Sequence, residues 1–93
     1  MIRDATFEDS KILSIYMQGL AKETESLDLV LTNLIRATDK FLRRPQFGKF
    51  YVAYTDNDPE TRIGMIMINF ETSVEVGGQI MWINSVYVHK DHR

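Results

Sequence analysis

The chain has no cysteine in its 93 residues and only two prolines. Without thiols there can be no disulfide, no thiolate metal site and no cysteine nucleophile, and the cytosol becomes the expected compartment. No apolar run approaches the roughly 18 residues of a membrane-spanning helix, so no membrane partner is expected. The N-terminal Met1-Ile2-Arg3-Asp4 lacks the basic, then apolar, layout of a signal peptide. Neither sign of charge dominates: 11 Lys and Arg stand against 13 Asp and Glu, a formal charge of −2. A nucleic-acid binder would carry a basic stripe, so nucleic acid is not expected as a partner. No repeat or low-complexity tract interrupts the chain, and its length fits one domain over 1–93.

What is present is two amphipathic helices followed by strands. Met1 to Asp4 reads as a short opening strand. Thr6 and Asp9 form an N-cap arrangement, with Glu8 and Asp9 in a first turn whose dipole favours negative charge. Ile12, Leu13, Tyr16, Met17 and Leu20 then recur with helical spacing, which predicts a helix over about 7–22. Thr24, Ser26 and Asp28 are candidate caps for a second helix carrying Leu27, Val30, Leu31, Leu34, Ile35, Thr38, Phe41 and Leu42. Arg43 and Arg44 suit its last turn, and Pro45 stops it.

Beyond Pro45 the period shortens. Lys49 to Thr55 is aromatic and β-branched, as a strand requires. Asp56-Asn57-Asp58-Pro59-Glu60 has turn composition. Ile63 to Glu71 and Gln79 to His89 are two further strands, joined by a loop that closes on Gly77-Gly78.

These last two strands do not alternate. Met65, Ile66, Met67, Ile68 and Phe70 are nearly continuous, as are Ile80, Met81, Trp82 and Ile83 and then Val86, Tyr87 and Val88. Strands apolar on both sides belong in a sheet covered on both faces, yet two helices cover only one. Four such side chains left wet would forfeit roughly 6–12 kcal/mol, against the ~5–15 kcal/mol stability of a whole domain. The expectation is the front part of a larger sheet domain, completed by further polypeptide or by a second copy. In either case a homodimer is expected, since the last strand offers an open edge. Trp82 and the methionines Met65, Met67 and Met81 read as core, whereas Tyr87 needs a polar outlet for its hydroxyl and suits a ligand groove equally well.

The run Trp82-Ile83-Asn84-Ser85-Val86-Tyr87-Val88-His89-Lys90-Asp91-His92-Arg93 resembles the fourth strand and following turn of the GNAT-family N-acetyltransferases. There a V-Y-V-x-P-x-x-R stretch leads into a pyrophosphate loop, R/Q-x-x-G-x-G/A. The element order fits the first half of that fold: a strand, two helices, an antiparallel pair and then the strongest strand. The resemblance covers essentially the whole chain and is specific over Val86 to Arg93. It implies an α+β fold with a mixed, mainly antiparallel sheet, and transfer of an acetyl group from acetyl-CoA to a small-molecule or peptide amine, without a metal.

By that resemblance, the backbone at Val86, Tyr87 and Val88 binds the pantetheine arm and polarises the thioester carbonyl. Arg93 matches the first residue of the pyrophosphate loop, whose glycines do not occur within these residues. Many relatives carry a glutamate base on this strand where Asn84 stands here, and an amide cannot take a proton at neutral pH. An acceptor amine with a pKa of about 10.4 must lose its proton, and Glu71 on the neighbouring strand is the candidate base. Lys90 stands where proline is common. Glu23 and Glu25, with Asp28, read either as an acidic rim for an amine substrate or as a solvated loop that caps helices. His89 and His92 read as solvated turn residues, and Arg93 with Lys90 as an anion site or a polar tail. The alternative function is a non-catalytic assembly module that self-associates through its last strand.

Overall fold

The computed structural model describes residues 1–93 except for the side chain of Pro59. Strand β1 (Ile2–Asp4) leads through a 3-10 turn at Phe7–Asp9 into α1 (Ser10–Glu25) and α2 (Leu31–Leu42). Strands β2 (Gly48–Thr55), β3 (Asp58–Ser73) and β4 (Gly78–Val88) follow, closed by a 3-10 turn at Lys90–His92. The sheet order is β1-β2-β3-β4 and all three pairings are antiparallel.

Helix α1 starts where Thr6 and Asp9 predict, since the Thr6 amide donates to Asp9 Oδ2 at 2.8 Å. It runs on to Glu25, and Ser26 then turns left-handed at φ 55°. The Ser26 amide bonds Lys22 O and the Leu27 amide bonds Ala21 O, both at 3.2 Å, which closes the helix as a Schellman motif. The three expected caps of the second helix are therefore used elsewhere. Thr24 lies inside α1 and its hydroxyl donates to Leu20 O at 2.7 Å, Ser26 ends α1, and Asp28 pairs with Lys22 at 2.9 Å. Helix α2 instead begins after Val30, with no side-chain cap. Arg43 and Arg44 do more than match a dipole: their guanidinium groups lie over the Phe7 and Phe47 rings, at 5.0 and 5.9 Å.

The expected turn at Asp56 to Glu60 contracts, because pairing resumes at Asp58 opposite Thr55. Asp58 holds this end with both carboxylate oxygens, accepting from the Glu60 amide at 3.0 Å and the Thr61 hydroxyl at 2.6 Å. The side chain of Pro59, part of that expected turn, lies outside the described residues.

Both helices cover the same face of the sheet. Leu13 and Tyr16 of α1 pack on Phe50, Val52 and Met65, with Met67, Phe41 and Tyr87 at the margin. Between the helices the Ser10 hydroxyl donates to Asp39, while Ser14 donates to Ser10 O at 2.7 Å and meets the Thr38 hydroxyl at 3.2 Å. Asp9 is buried and accepts from Arg3 at 2.8 and 3.0 Å and from Arg62 at 3.0 Å. Burial alone would push this carboxyl up, but the donors Arg3, Thr6 and Arg62 together hold it well below the usual carboxylate range.

The opposite face carries Ile2, Ile66, Ile68, Phe70, Met81, Ile83 and Val86, by the alternation of the paired registers. No helix lies over it among the described residues. Met81 is accordingly 67% exposed and Ile83 71%, so Met81 is not core filler, although Met65 and Met67 are. Trp82 is not core either, at 54% exposure. It lies on the outer strand of the sheet, opposite Asn69 rather than Met65 or Met67. Its indole N–H donates to Glu71 Oε2 at 2.6 Å. No helix among the described residues is long and apolar enough to cross a membrane.

Candidate functional site

Strand β4 changes register once. Met67 pairs with Ser85 and Ile68 with Ile83, so Asn84 is an extra, bulged residue. Before the bulge Trp82 faces the helices; after it Tyr87 does, opposite Met65. The bulge re-aims this segment and bends the edge that it belongs to. Because β4 is the last strand in the order, its outer backbone groups have no strand partner among the described residues.

Tyr87 is the centre of the arrangement. Its ring lies 5.3 Å from that of Tyr16, whose own hydroxyl donates to Arg62 O at 2.7 Å. A side-chain carbon at Gly19 would come within 3.0 Å of the Tyr87 hydroxyl, so the glycine lets the phenol lie directly against α1. A concavity of about 400 Å³ opens on one side, lined by Tyr16, Gly19, Lys22, Leu27, Tyr87 and His89. Another, of about 370 Å³, is lined by Leu20, Glu23, Val86, Tyr87, Val88 and Arg93.

Arg93 folds back over Tyr87, 5.2 Å above its ring. Its Nε donates to Val88 O at 2.7 Å, and Nη2 donates to Glu23 Oε2 at 2.7 Å. The Arg93 hydrogen bond holds the Glu23 carboxyl below its ordinary range, and Glu23 in turn raises the Arg93 guanidinium. Burial, then the adjoining Glu23 carboxylate, raises the Tyr87 phenol.

Five of the residues singled out from sequence therefore meet here: Glu23, Val86, Tyr87, Val88 and Arg93. Glu25 does not join them, since residues two apart on a helix point to different sides. Glu71 is also elsewhere. It lies five residues along β3 from Ile66, the partner of Val86, or about 17 Å. The His89 and His92 rings stand 6.3 Å apart, and His89 Nδ1 accepts the Asp91 amide at 3.2 Å. Among the described residues no group of three His, Cys, Asp or Glu is placed to hold a metal ion.

Sequence reasoning missed the bulge at Asn84 and the fit of Gly19 against Tyr87. The isolated glycine within a helical stripe was the available signal for the second. The bulge left no local signal.

This chain is similar over its full length to a solved possible acetyltransferase from Clostridium difficile 630, with 31% identity, a TM-score of 0.91 and 59% of that chain covered. The chain carries the N-terminal half of the GNAT acetyltransferase fold. An integron cassette protein from the mobile metagenome of Cole Harbour Salt Marsh shares the fold at 23% identity and TM-score 0.86, over 99% of this chain and 58% of that one. So does a ribosomal-protein-alanine N-acetyltransferase from Brucella melitensis biovar Abortus 2308, at 16% identity and TM-score 0.71, over 100% and 59%. The chain thus spans less than two thirds of the length of these solved chains. No protein-family model matches the sequence, and no curated protein does.

Proposed function

We propose that the whole protein is an acetyl-CoA-dependent N-acetyltransferase acting in the cytosol on a small-molecule or peptide amine. The observation that carries this reading is the bulged, open outer edge of β4 beside Tyr87. A row of unpaired amides and carbonyls suits an extended arm that itself contains amide groups, and so fits pantetheine. Acetyl-CoA, when bound, supplies the acetyl group as an activated thioester.

The chain's own groups bind, orient and move protons. Backbone at Val86, Tyr87 and Val88 fixes the arm, and amides of the bulged edge donate toward developing negative charge. Tyr87, held between Tyr16 and Gly19, forms the wall that excludes water on the helix side. Arg93 provides a cation for the pyrophosphate end, once Glu23 releases it. Asn84 cannot take a proton, and Glu71, about 17 Å along β3 from the partner of Val86, is too far to take one from an amine held at the arm, whereas Glu23 draws cationic amines to this end of the molecule. Most of the acceleration comes from positioning.

The glycines of the R-x-x-G-x-G/A loop do not occur within these residues, so the cofactor cradle formed here is incomplete. Calorimetric titration of acetyl-CoA into the chain, with its mass measured in the same buffer, tests the reading. Saturable heat is expected, and its absence overturns cofactor binding by this part. Turnover by these 93 residues at a rate typical of enzymes would overturn the incomplete cradle.

A second reading is favoured by one observation: Ile83 and Met81 on the edge strand are the most exposed apolar residues of the sheet. In that reading the chain is a non-catalytic module that pairs with a second copy through β4. Mass and acetyl-CoA binding separate the two: a dimer that gives no heat with acetyl-CoA favours assembly.

A further inference from the structure

Charge is placed unevenly along this chain. Residues 36 to 49 hold five of its 11 basic residues and a single acid, Asp39, so the remainder is acidic. Helix α2 gathers these cations on one side. Arg36, Lys40, Arg43 and Arg44 fall within about 100° of one another around the helix axis. They lie opposite Thr38, Phe41 and Leu42, which face the core, and all four are exposed. Folding thus assembles a basic stripe that the near-neutral total conceals.

Five other cations are neutralised where they stand: Arg3 and Arg62 on Asp9, Lys22 on Asp28, Lys49 on Asp4 and Arg93 on Glu23. The stripe is not. Among the described residues no carboxylate forms an ion pair with any of its four members. Asp39 accepts the Ser10 hydroxyl, and Arg36 donates to Asn33 Oδ1 at 3.2 Å. Arg36 with Lys40, and Lys40 with Arg44, are like-charge pairs four residues apart, an arrangement that destabilises a helix. An anion laid along the stripe relieves that repulsion.

Two half-exposed rings stand at the end of the stripe, Phe7 at 54% and Phe47 at 49%. Both are fixed through their backbone. The Phe7 carbonyl accepts the Ser10 amide, while the Phe47 amide donates to Arg44 O and its carbonyl accepts the Phe70 amide, both at 2.9 Å. Each ring carries a guanidinium from the stripe, Arg43 on Phe7 and Arg44 on Phe47. Aromatic faces and guanidinium planes are the surfaces on which unpaired bases stack, and a row of cations follows the phosphates between them. An acidic peptide would use the charges and leave the rings idle. A membrane would call for rings standing free of their guanidinium groups.

We propose that the outer face of α2, with Phe7 and Phe47 at its end, binds single-stranded nucleic acid: the four cations meet phosphates and the two Arg–Phe pairs stack bases. The surface lies over β2, which β3 separates from the β4 edge, so it stands apart from the acetyl-CoA reading.

The test is fluorescence anisotropy of a labelled single-stranded oligonucleotide titrated with the chain. Saturable binding is expected, weakening with salt at a log–log slope of up to about −3, since each phosphate neutralised on a single strand contributes ~0.7. Arg36→Gln with Lys40→Gln should weaken binding and make that slope shallower by about 1.4. Arg43→Lys with Arg44→Lys keeps every charge and loses the planar groups; binding should weaken about threefold or more at an unchanged slope. Phe47→Ala should weaken it about tenfold, with melting curves verifying the fold. No binding by the unsubstituted chain overturns the proposal. So does binding that polyglutamate displaces as readily as unlabelled oligonucleotide does, or that the double lysine variant leaves unchanged, because the stripe then attracts anions of any kind. Attachment to vesicles of phosphatidylserine and phosphatidylcholine without oligonucleotide binding overturns it in favour of a membrane. Loss of acetyl-CoA binding alone leaves it standing.

Discussion

Arg62 reaches back across 53 residues of chain to donate to Asp9 Oδ1 at 3.0 Å, and so ties the start of α1 to β3. Arg3 of β1 grips the same carboxylate from the other side. One buried acid thereby joins the first strand, the first helix and the third strand. Its folded pKa lies below the ordinary value of 3.8. The stabilisation is therefore fully present above that ordinary value and is lost as pH falls toward the depressed folded one. Urea unfolding followed from pH 6 down to pH 3 should show stability declining at the acid end. Asp9→Asn should cost about 3–5 kcal/mol at neutral pH and flatten that decline, because two arginines then face each other without an anion.

Ser26 offers the opposite sign. It holds φ 55° at the end of α1, where an L side chain is disfavoured by about 1–2 kcal/mol. Ser26→Gly should raise stability by up to about 1 kcal/mol, measured by urea midpoint, because it relieves this strain and removes no side-chain cap from α2.

The uncovered face of the sheet predicts association. Ile83, Met81 and Val86 lie on it at more than half exposure, beside the open edge of β4. Light scattering at tens of micromolar should give a mass above that of a single chain, and Ile83→Lys should return it toward the monomer while the melting temperature holds. A stable monomer that binds no hydrophobic dye would contradict this.

The elements were legible where one local rule governed them. The stripe from Ile12 to Leu20 and the aromatic run from Lys49 to Thr55 each declare a period, and each forms the element that it predicts. The near-continuous apolarity of β3 and β4 also carried real information, since the side chains that it leaves over are those found exposed. What sequence could not reveal depends on partners distant in the chain. Asp9 reads as an ordinary first-turn acid until Arg3 and Arg62 arrive from two strands. Ser26 reads as a cap for the helix after it, whereas the backbone uses it to end the helix before it. Trp82 lies within an apolar run and on the helix side of the sheet and is still half exposed, because it belongs to the outer strand and only its indole N–H finds a partner. Of the site, Val86, Tyr87, Val88 and Arg93 were visible through a motif, and their meeting with Glu23 through the fold alone.

The central claim is that the edge of β4 around Tyr87 receives the acetyl-CoA arm. Amide chemical-shift mapping by two-dimensional NMR, with acetyl-CoA titrated into the isotope-labelled chain, addresses it residue by residue. The account predicts saturable shifts concentrated at Asn84 through Val88 and at Arg93. Shifts confined to the opposite face around Ile2 and Ile66, or none at all, would contradict it.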